Sequence, residues 1–156
     1  MSKTYLTSVS SAETNFPKKL LIWNYWDHEH VVGTHFQHYK KVDIKFENDT
    51  TCHSERWAKI PYIPFYMKSV DICTLVNENK MEVLHTTLFN LIKCKQIFVF
   101  EENEENNKCK VTRYDYLEVP KIFKFFQPIF DKLMKKWFID VWKEDMPMRE
   151  RRLRVW

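Results

Sequence analysis

Histidine and carboxylate side chains are concentrated in one short stretch of the chain, from Asn24 to His35. This stretch holds three histidines, two carboxylates and one carboxamide, and it includes the only glycine of the protein, Gly33. Imidazole and carboxylate are ligands for divalent first-row metals, and the second imidazole nitrogen can be held by a nearby acceptor. The stretch is therefore a candidate metal site, and a polar surface helix is the alternative interpretation.

The spacing of His30 and His35 does not suit one face of a regular helix. Over five residues of ideal helix the two side chains point roughly 140° apart. Both rings can reach one metal only where the helix bends or restarts, and glycine is the residue that best allows such a break. The sequence therefore predicts a bend or restart near Gly33.

The order of these side chains resembles a known motif. Asn24, Asp27, His30 and His35 follow one another with two, two and four residues between them. This pattern is similar to the mononuclear iron motif in the catalytic domain of Rieske non-haem iron oxygenases. The resemblance implies that His30 and His35 bind Fe(II), that Asn24 lies near the metal and that Asp27 contacts a liganding histidine. It assigns nothing to His28 or Glu29.

A carboxylate normally completes a site with two histidines. Asp140, Glu144 and Asp145 lie near the end of a long helical pattern, and the periodicity leaves the choice among them open. The resemblance selects Asp145, because the pair Glu144-Asp145 is similar to the segment with the third ligand in that family. Pro147 is predicted to end or bend the helix just after Asp145. The basic cluster over residues 149–154 is predicted to be a solvated helix end.

The composition indicates one globular domain with an aromatic interior. The chain has 156 residues, of which 44% are hydrophobic and 16% aromatic, which suits a cavity lined by rings. The net charge of +4 comes from 25 basic and 21 acidic residues that are interspersed, so nucleic acid is not an expected partner. No apolar run has membrane-spanning length, so no transmembrane helix is expected.

Cysteine and glycine usage narrows the functional class. The four cysteines form no Cys-x-x-Cys pair, which is typical of reduced thiols, and we expect a cytoplasmic protein. A single glycine excludes P-loop and dinucleotide-binding fingerprints. The Cys-x-His and Cys-x-x-His pairs of a Rieske cluster are also missing from the sequence. A relative of those oxygenases would therefore correspond to the catalytic domain alone.

The predicted elements begin with a flexible arm over residues 1–16, followed by a single domain over residues 17–156. The apolar run from Leu20 to Trp23 predicts a first strand. Val42, Ile44 and Phe46 alternate with charged residues, which predicts a half-buried strand. Further strands are predicted over residues 51–60, 66–76, 81–90, 91–101 and 108–119, and loops over residues 60–65 and 101–107.

The longest helical pattern begins at Pro120 and repeats apolar residues at helical spacing from Ile122 to Val141. Pro128 lies inside it, which predicts a kink or a late start. This layout resembles the helix-grip fold of Bet v1 and START-like (SRPBCC) proteins. The resemblance implies an α+β fold, with short helices after the first strand and a curved antiparallel sheet of about six or seven strands around the long C-terminal helix.

The oxygenase resemblance implies an oxidoreductase that uses Fe(II) to oxygenate a hydrophobic substrate, aromatic or isoprenoid, in an internal cavity. Electrons would come from a separate ferredoxin or Rieske-type donor, because the chain has no cluster motif of its own. Two alternatives stay open. Zn²⁺ on the same ligands would support hydrolase or lyase chemistry, and a metal-free domain would carry a hydrophobic ligand or lipid.

Overall fold

Seven strands and three α-helices make up the computed structural model, which describes residues 2–59, 65–88, 92–103 and 108–155. The strands are β1 (Lys3–Thr14), β2 (Tyr39–Glu47), β3 (Thr51–Lys59), β4 (Tyr66–Asn77), β5 (Lys80–Thr87), β6 (Ile92–Asn103) and β7 (Lys108–Pro120). The helices are α1 (Lys18–Trp26), α2 (His30–Thr34), a 3₁₀ helix (Lys121–Phe126) and α3 (Gln127–Val155).

The strands form one antiparallel sheet in the order β1-β7-β6-β5-β4-β3-β2. Six of these strands are consecutive hairpin partners, and β1 pairs with β7 across the length of the chain. α3 packs against β1, while α1 lies against α3 and β6. The predicted α+β helix-grip fold, a curved sheet with a long C-terminal helix, is confirmed.

The main apolar core lies between the sheet and α1. Leu20 and Leu21 are fully buried and anchor α1 on the sheet. The strands contribute mostly small or unbranched side chains to this core, which are Cys52, Cys73, Met81, Val83, Phe98, Phe100, Cys109 and Val111. Because Asn24 lies one turn after Leu20 and Leu21, the same contact turns its carboxamide inward.

The prediction of a flexible arm over residues 1–16 is wrong, because β1 occupies most of it. The inward positions of β1 are Leu6, Ser8 and Ser10, all buried. Serines at inward positions remove the apolar alternation by which a strand is recognised. The Ser8 hydroxyl donates to the Asp131 carboxylate of α3 at 2.9 Å, so the polar inward face still has a partner.

The predicted first strand at Leu20 to Trp23 is helical instead. These residues belong to α1. The N–H groups of Leu20 and Leu21 donate to the carbonyl of Pro17, which directly precedes the helix. A short apolar run does not by itself distinguish a buried strand from a buried helix. The later strands agree with the predictions within a few residues, except that Phe46 is 50% exposed. The β2–β3 register shifts between Ile44 and Phe46, which breaks the alternation there. The predicted loops largely fall on residues 60–64 and 104–107, outside the described residues.

α3 begins at Gln127, so Pro128 lies in its first turn and marks the late start. Pro147 does not end the helix, which continues to Val155. Arg149 forms an i,i+4 ion pair with Asp145 across the proline, and Met148 and Arg149 are both buried. Packing and this ion pair therefore maintain the helix past the missing N–H. No helix of the described ranges is long and apolar enough to cross a bilayer.

Candidate metal centre

Two helices, α2 and α3, bring the predicted ligands together. His30 is the first residue of α2, His35 directly follows α2, and Asp145 projects from α3. The helical conformation is interrupted between α1 and α2. It ends again at His35, which has φ −111° and ψ 40°. The predicted break near Gly33 is therefore wrong: Gly33 lies inside α2 with a negative φ. Ending the helix just before His35 is what turns its ring toward His30.

The side chains of His30, His35 and Asp145 offer one ligand atom each within 4.8 Å of one another. We refer to them as the triad cluster. Oδ1 of Asp145 lies 2.9 Å from Nε2 of His35 and 3.5 Å from Nε2 of His30. The two imidazole rings meet edge to face, with centroids 5.6 Å apart. Two imidazole nitrogens and one carboxylate oxygen thus converge on one point.

The other nitrogen of each imidazole is held by an acceptor. Nδ1 of His30 contacts the backbone carbonyl of Asp27, and Nδ1 of His35 lies 2.6 Å from a carboxylate oxygen of Glu144. An acceptor at Nδ1 favours the tautomer with its proton there, which leaves the Nε2 lone pair free toward the centre. Asp27 also accepts the His30 backbone N–H at 3.2 Å. Asp27 thus orients His30 through two contacts, from its carboxylate to the His30 backbone and from its backbone carbonyl to the His30 ring.

The carboxylate of Asp145 is held from one side only. Its Oδ2 accepts from Nδ2 of Asn24 at 2.9 Å and from a terminal nitrogen of Arg149 at 2.9 Å. Its buried Oδ1 has no assigned hydrogen bond among the described residues, and Nε2 of His35 lies 2.9 Å away. This carboxylate oxygen and the two imidazole nitrogens that face it together form a ligand set that fits a divalent metal.

In the triad cluster, interactions with neighbouring side chains shift the pKa values of Asp145 and His35 more than burial does. Burial alone favours the neutral Asp145 carboxyl, but His30, His35 and Arg149 hold its pKa well below the usual range. Burial also lowers the pKa of His35, and the carboxylates of Asp145 and Glu144 more than reverse this, so the pKa is raised. The Asp145 carboxylate is therefore ionised, as a ligand must be.

The structure places the other candidate carboxylates away from the ligand position. Asp140 is on the exposed side of α3 and pairs with Lys136. Glu144 supports His35 from behind the ring, with its side chain 31% exposed. Of the three carboxylates, Asp145 alone joins the described cluster of potential ligands.

Two arginines belong to the site although the sequence did not predict them there. Arg149 is fully buried, with its guanidinium carbon 4.1 Å from the Trp142 ring centre. Arg152 donates to Oδ1 of Asn24 at 3.2 Å and pairs with Asp27. The prediction of a solvated basic helix end is therefore wrong at these positions. The i,i+4 spacing of Asp145 and Arg149 was the signal available in the sequence.

A cavity of about 90 Å³ adjoins the triad cluster. Its apolar wall comes from α1, the strands and α3, and consists of Tyr25, Met81, Val83, Phe98, Trp137 and Val141. The indole nitrogen of Trp137 is buried without a hydrogen-bond acceptor among the described residues. His28 also lines the cavity; its Nδ1 lies 3.0 Å from the Ser54 hydroxyl, and burial lowers its pKa to about 3.

A row of hydrogen-bonded polar side chains crosses the sheet on the opposite side of the cavity. We call this row the polar ladder; its members, from β3 to β7, are Arg56, Asp71, His85, Gln96, Asp115 and Arg113. Each link is between 2.7 and 3.0 Å long. The ladder ends where Arg113 donates to the backbone carbonyl of Met134 in α3.

His85 lies between two acceptors in the polar ladder. Its Nδ1 is 3.0 Å from Oδ1 of Asp71, and its Nε2 is 2.9 Å from Oε1 of Gln96. Burial lowers the pKa of His85, but the Asp71 carboxylate outweighs burial and raises it. Burial likewise raises the pKa of Asp71, and the facing His85 and Arg56 bring it down to about 2. The partly buried His85 therefore forms an ion pair with the buried Asp71.

No family model matches the sequence, and no curated protein matches it. Solved structures do match in fold. A START superfamily protein from Mycobacterium smegmatis has a TM-score of 0.70 at 12% identity, over 93% of this chain and 97% of that one. Norcoclaurine synthase from Thalictrum flavum has a TM-score of 0.68 at 12% identity, over 94% and 95% of the two chains.

The chain also matches part of a larger protein, the di-domain ARO/CYC BexL from the BE-7585A biosynthetic pathway. It covers 38% of that chain and 76% of this one, with a TM-score of 0.63 at 9% identity. At such identities the likeness concerns the fold alone, and the oxygenase resemblance stays a prediction. By its fold the chain is similar to the START and Bet v1-like helix-grip proteins.

Proposed function

We propose that this chain is a mononuclear metal enzyme that binds Fe(II) through His30, His35 and Asp145 and oxygenates a small hydrophobic substrate. The observation that carries the proposal is the convergence of three ligand atoms, each on a side chain whose other polar atom is already held. Two histidines and one carboxylate are the ligand set of non-haem Fe(II) oxygenases and leave positions open.

When bound, Fe(II) would supply the activation of O₂ beside the substrate. Glu144 and the Asp27 carbonyl keep the imidazoles in the ligand tautomer, and Asn24 with Arg149 keeps Oδ1 of Asp145 directed inward. To hold the metal, His30 and His35 would have to be neutral and Asp145 ionised. A ferredoxin or Rieske-type protein would provide the electrons.

The cavity wall would select and orient the substrate. Its volume of about 90 Å³ is far below the roughly 300–1,000 Å³ of pockets for drug-sized ligands, so the substrate would be small. Rings and aliphatic groups make most of the wall beside the triad cluster and exclude water there. The unpartnered indole N–H of Trp137 would donate to an oxygen of the substrate.

A second candidate is a metal-free protein that binds a hydrophobic ligand. Support for it comes from the solved structures of the same fold, which include a START superfamily protein and a synthase solved with dopamine and hydroxybenzaldehyde. In this case the apolar wall would carry the function, and the triad cluster would be a buried hydrogen-bonding group. Zn²⁺ on the same three ligands would instead support a hydrolase or lyase.

Elemental analysis distinguishes these functions. Protein purified without chelators, and after anaerobic reconstitution with Fe(II), is compared with the His30→Ala, His35→Ala double variant and with His53→Ala as a control outside the cluster. Stoichiometric iron in wild type and His53→Ala, but not in the double variant, is expected. Substrate-screened O₂ uptake with a chemical reductant then tests the oxygenase reaction.

Zinc that persists after growth in iron-replete medium would replace the oxygenase proposal with hydrolase or lyase chemistry. Absence of any metal in folded, reconstituted wild-type protein would overturn the metal centre and leave the ligand-binding candidate.

A further inference from the structure

Large apolar side chains are exposed between β7 and α3. The 3₁₀ helix and the first turn of α3 expose Ile122 by 65%, Phe123 by 43%, Phe125 by 67%, Phe126 by 39% and Ile129 by 56%. We call these five residues the apolar tip. Their rings touch one another, with centroids 4.2 Å apart for Phe125 and Phe126. The tip is thus a contiguous apolar surface, which soluble proteins rarely leave exposed without a function.

The apolar tip lies at one end of the sheet together with other exposed apolar residues. In the antiparallel register, the end of β7, the start of β6, the end of β5 and the start of β4 are all at this end. Leu88 directly follows β5 and is 43% exposed, and Phe65 directly precedes β4 and is 58% exposed. Exposed apolar surface is therefore concentrated at this end.

The charges around the apolar tip are basic. Residues 119–130 contain Lys121 and Lys124 and no acidic residue. Both lysines are exposed, and neither forms an ion pair with any residue that the structure describes. Lysines placed between exposed rings can extend their ammonium groups toward phosphate while the rings enter an apolar layer.

We propose that the apolar tip docks on the surface of an anionic phospholipid bilayer. Rings and aliphatic groups would enter the region between headgroups and acyl chains, and Lys121 and Lys124 would contact anionic headgroups. The proposal is independent of the metal centre. A second copy of the chain is a less suitable occupant, because a two-fold contact would bring the same two lysines of both copies together.

Vesicle co-sedimentation tests the docking surface. The full chain is mixed with phosphatidylcholine vesicles, with and without phosphatidylserine, at low and physiological salt. Two variants address the two parts of the tip: Ile129→Ser removes apolar surface, and Lys121→Glu with Lys124→Glu reverses the charge. Ile139→Ser is the matched control, because Ile139 is 50% exposed on the same helix, about 15 Å farther along its axis.

Wild type and Ile139→Ser are expected to bind phosphatidylserine vesicles equally, and more weakly as salt increases. The charge reversal should weaken binding by roughly 30-fold or more, since each lysine near an anionic surface contributes about fivefold. Ile129→Ser should also weaken it. No binding by wild type, or equal binding by all variants, would overturn the proposal. A concentration-dependent dimer that Ile129→Ser dissolves, without vesicle binding, would assign the tip to self-association.

Discussion

The cavity separates two buried groups of charged side chains that differ in how their polar atoms are arranged. In the polar ladder, the charged side chains are paired with neighbours of opposite charge, and the neutral Gln96 joins His85 to Asp115. In the triad cluster, two imidazole nitrogens and one carboxylate oxygen face a common point. Both groups include buried carboxylates next to histidine, so burial and charge alone do not distinguish them.

The difference indicates which group is structural and which is built to bind. In the ladder each charged side chain lies within 3.0 Å of one of opposite charge, and the links join β3 to β7. Ligand atoms that converge are satisfied only when a cation or protons lie among them. Substitutions in the ladder should therefore change the free energy of unfolding, while substitutions around the cluster should change metal affinity.

The largest effect is expected from Asp71→Asn in the polar ladder. The change leaves the buried Arg56 and the partly buried His85 without their shared counter-ion, and breaking a buried pair such as Arg56–Asp71 costs about 3–5 kcal/mol. Urea denaturation measures the loss, and metal stoichiometry should not change. Glu82→Gln is the control, since Glu82 pairs with exposed lysines and should contribute under about 1 kcal/mol. A similar loss of unfolding free energy in both variants would contradict a special structural function of the polar ladder.

Next in size is Glu144→Ala, which removes the acceptor behind His35. Such supporting contacts typically change metal affinity by about 10–100-fold. Competition with a chelator under anaerobic conditions measures the Fe(II) affinity, and urea denaturation should show little change because Glu144 is partly exposed. Asp140→Ala on the same helix is the matched control and should bind Fe(II) like wild type. Unchanged affinity in Glu144→Ala would show that His35 needs no support.

A smaller, pH-dependent effect is expected from His85→Gln. The folded-state pKa of His85 is raised above its ordinary value, so the folded protein holds this proton more tightly than the unfolded chain does. The contribution of His85 is complete below about pH 6.5 and is lost as pH rises through the folded-state pKa. The stability difference between wild type and variant should shrink accordingly in urea titrations above that pH. A difference that grows with pH would contradict the ion pair.

The smallest effect is expected from Gly33→Ala. Gly33 is inside α2 with a negative φ, and a Cβ built there meets no atom within 4 Å. Alanine should therefore stabilise the protein by about 0.5–1 kcal/mol, through the lower entropy of the unfolded chain. Thermal unfolding measures the gain, and Fe(II) affinity should stay as in wild type. Destabilisation by alanine would indicate that the backbone conformation at residue 33 requires glycine.

The fold could be predicted where periodicity is strong. The β4 to β7 strands and α3 have clear apolar repeats, and the observed strand bounds are within a few residues of those predicted. α3 was recognised as the long C-terminal helix, but it begins at Gln127 and not at Pro120, and it continues past Pro147 to Val155. β1 could not be found, because its inward face carries Ser8 and Ser10, and α1 was too short for its apolar run to identify it as a helix.

The triad cluster could be named from the sequence only through a resemblance, because His30 and Asp145 are far apart in the chain and no local pattern joins them. Of the residues that support the ligands, some were expected from the resemblance and others are seen only in the structure. Asn24 was expected near the metal, while the functions of Glu144 and Arg149 depend on how α3 lies against α2. The spacing within α3 could have indicated that Arg149 lies beside Asp145, but only the packed structure shows that both are buried.

The pairing of β1 with β7 has a consequence for how the chain folds during synthesis. Lys3 pairs with Pro120, so β1 finds its partner only after the residues between β1 and β7 have been made. At ribosomal rates of 5–20 residues per second, β1 waits roughly 5–20 s with an unpaired edge. Contacts so distant in sequence slow folding. Its inward serines make this waiting strand less apolar, and hence less prone to aggregate, than a hydrophobic strand would be.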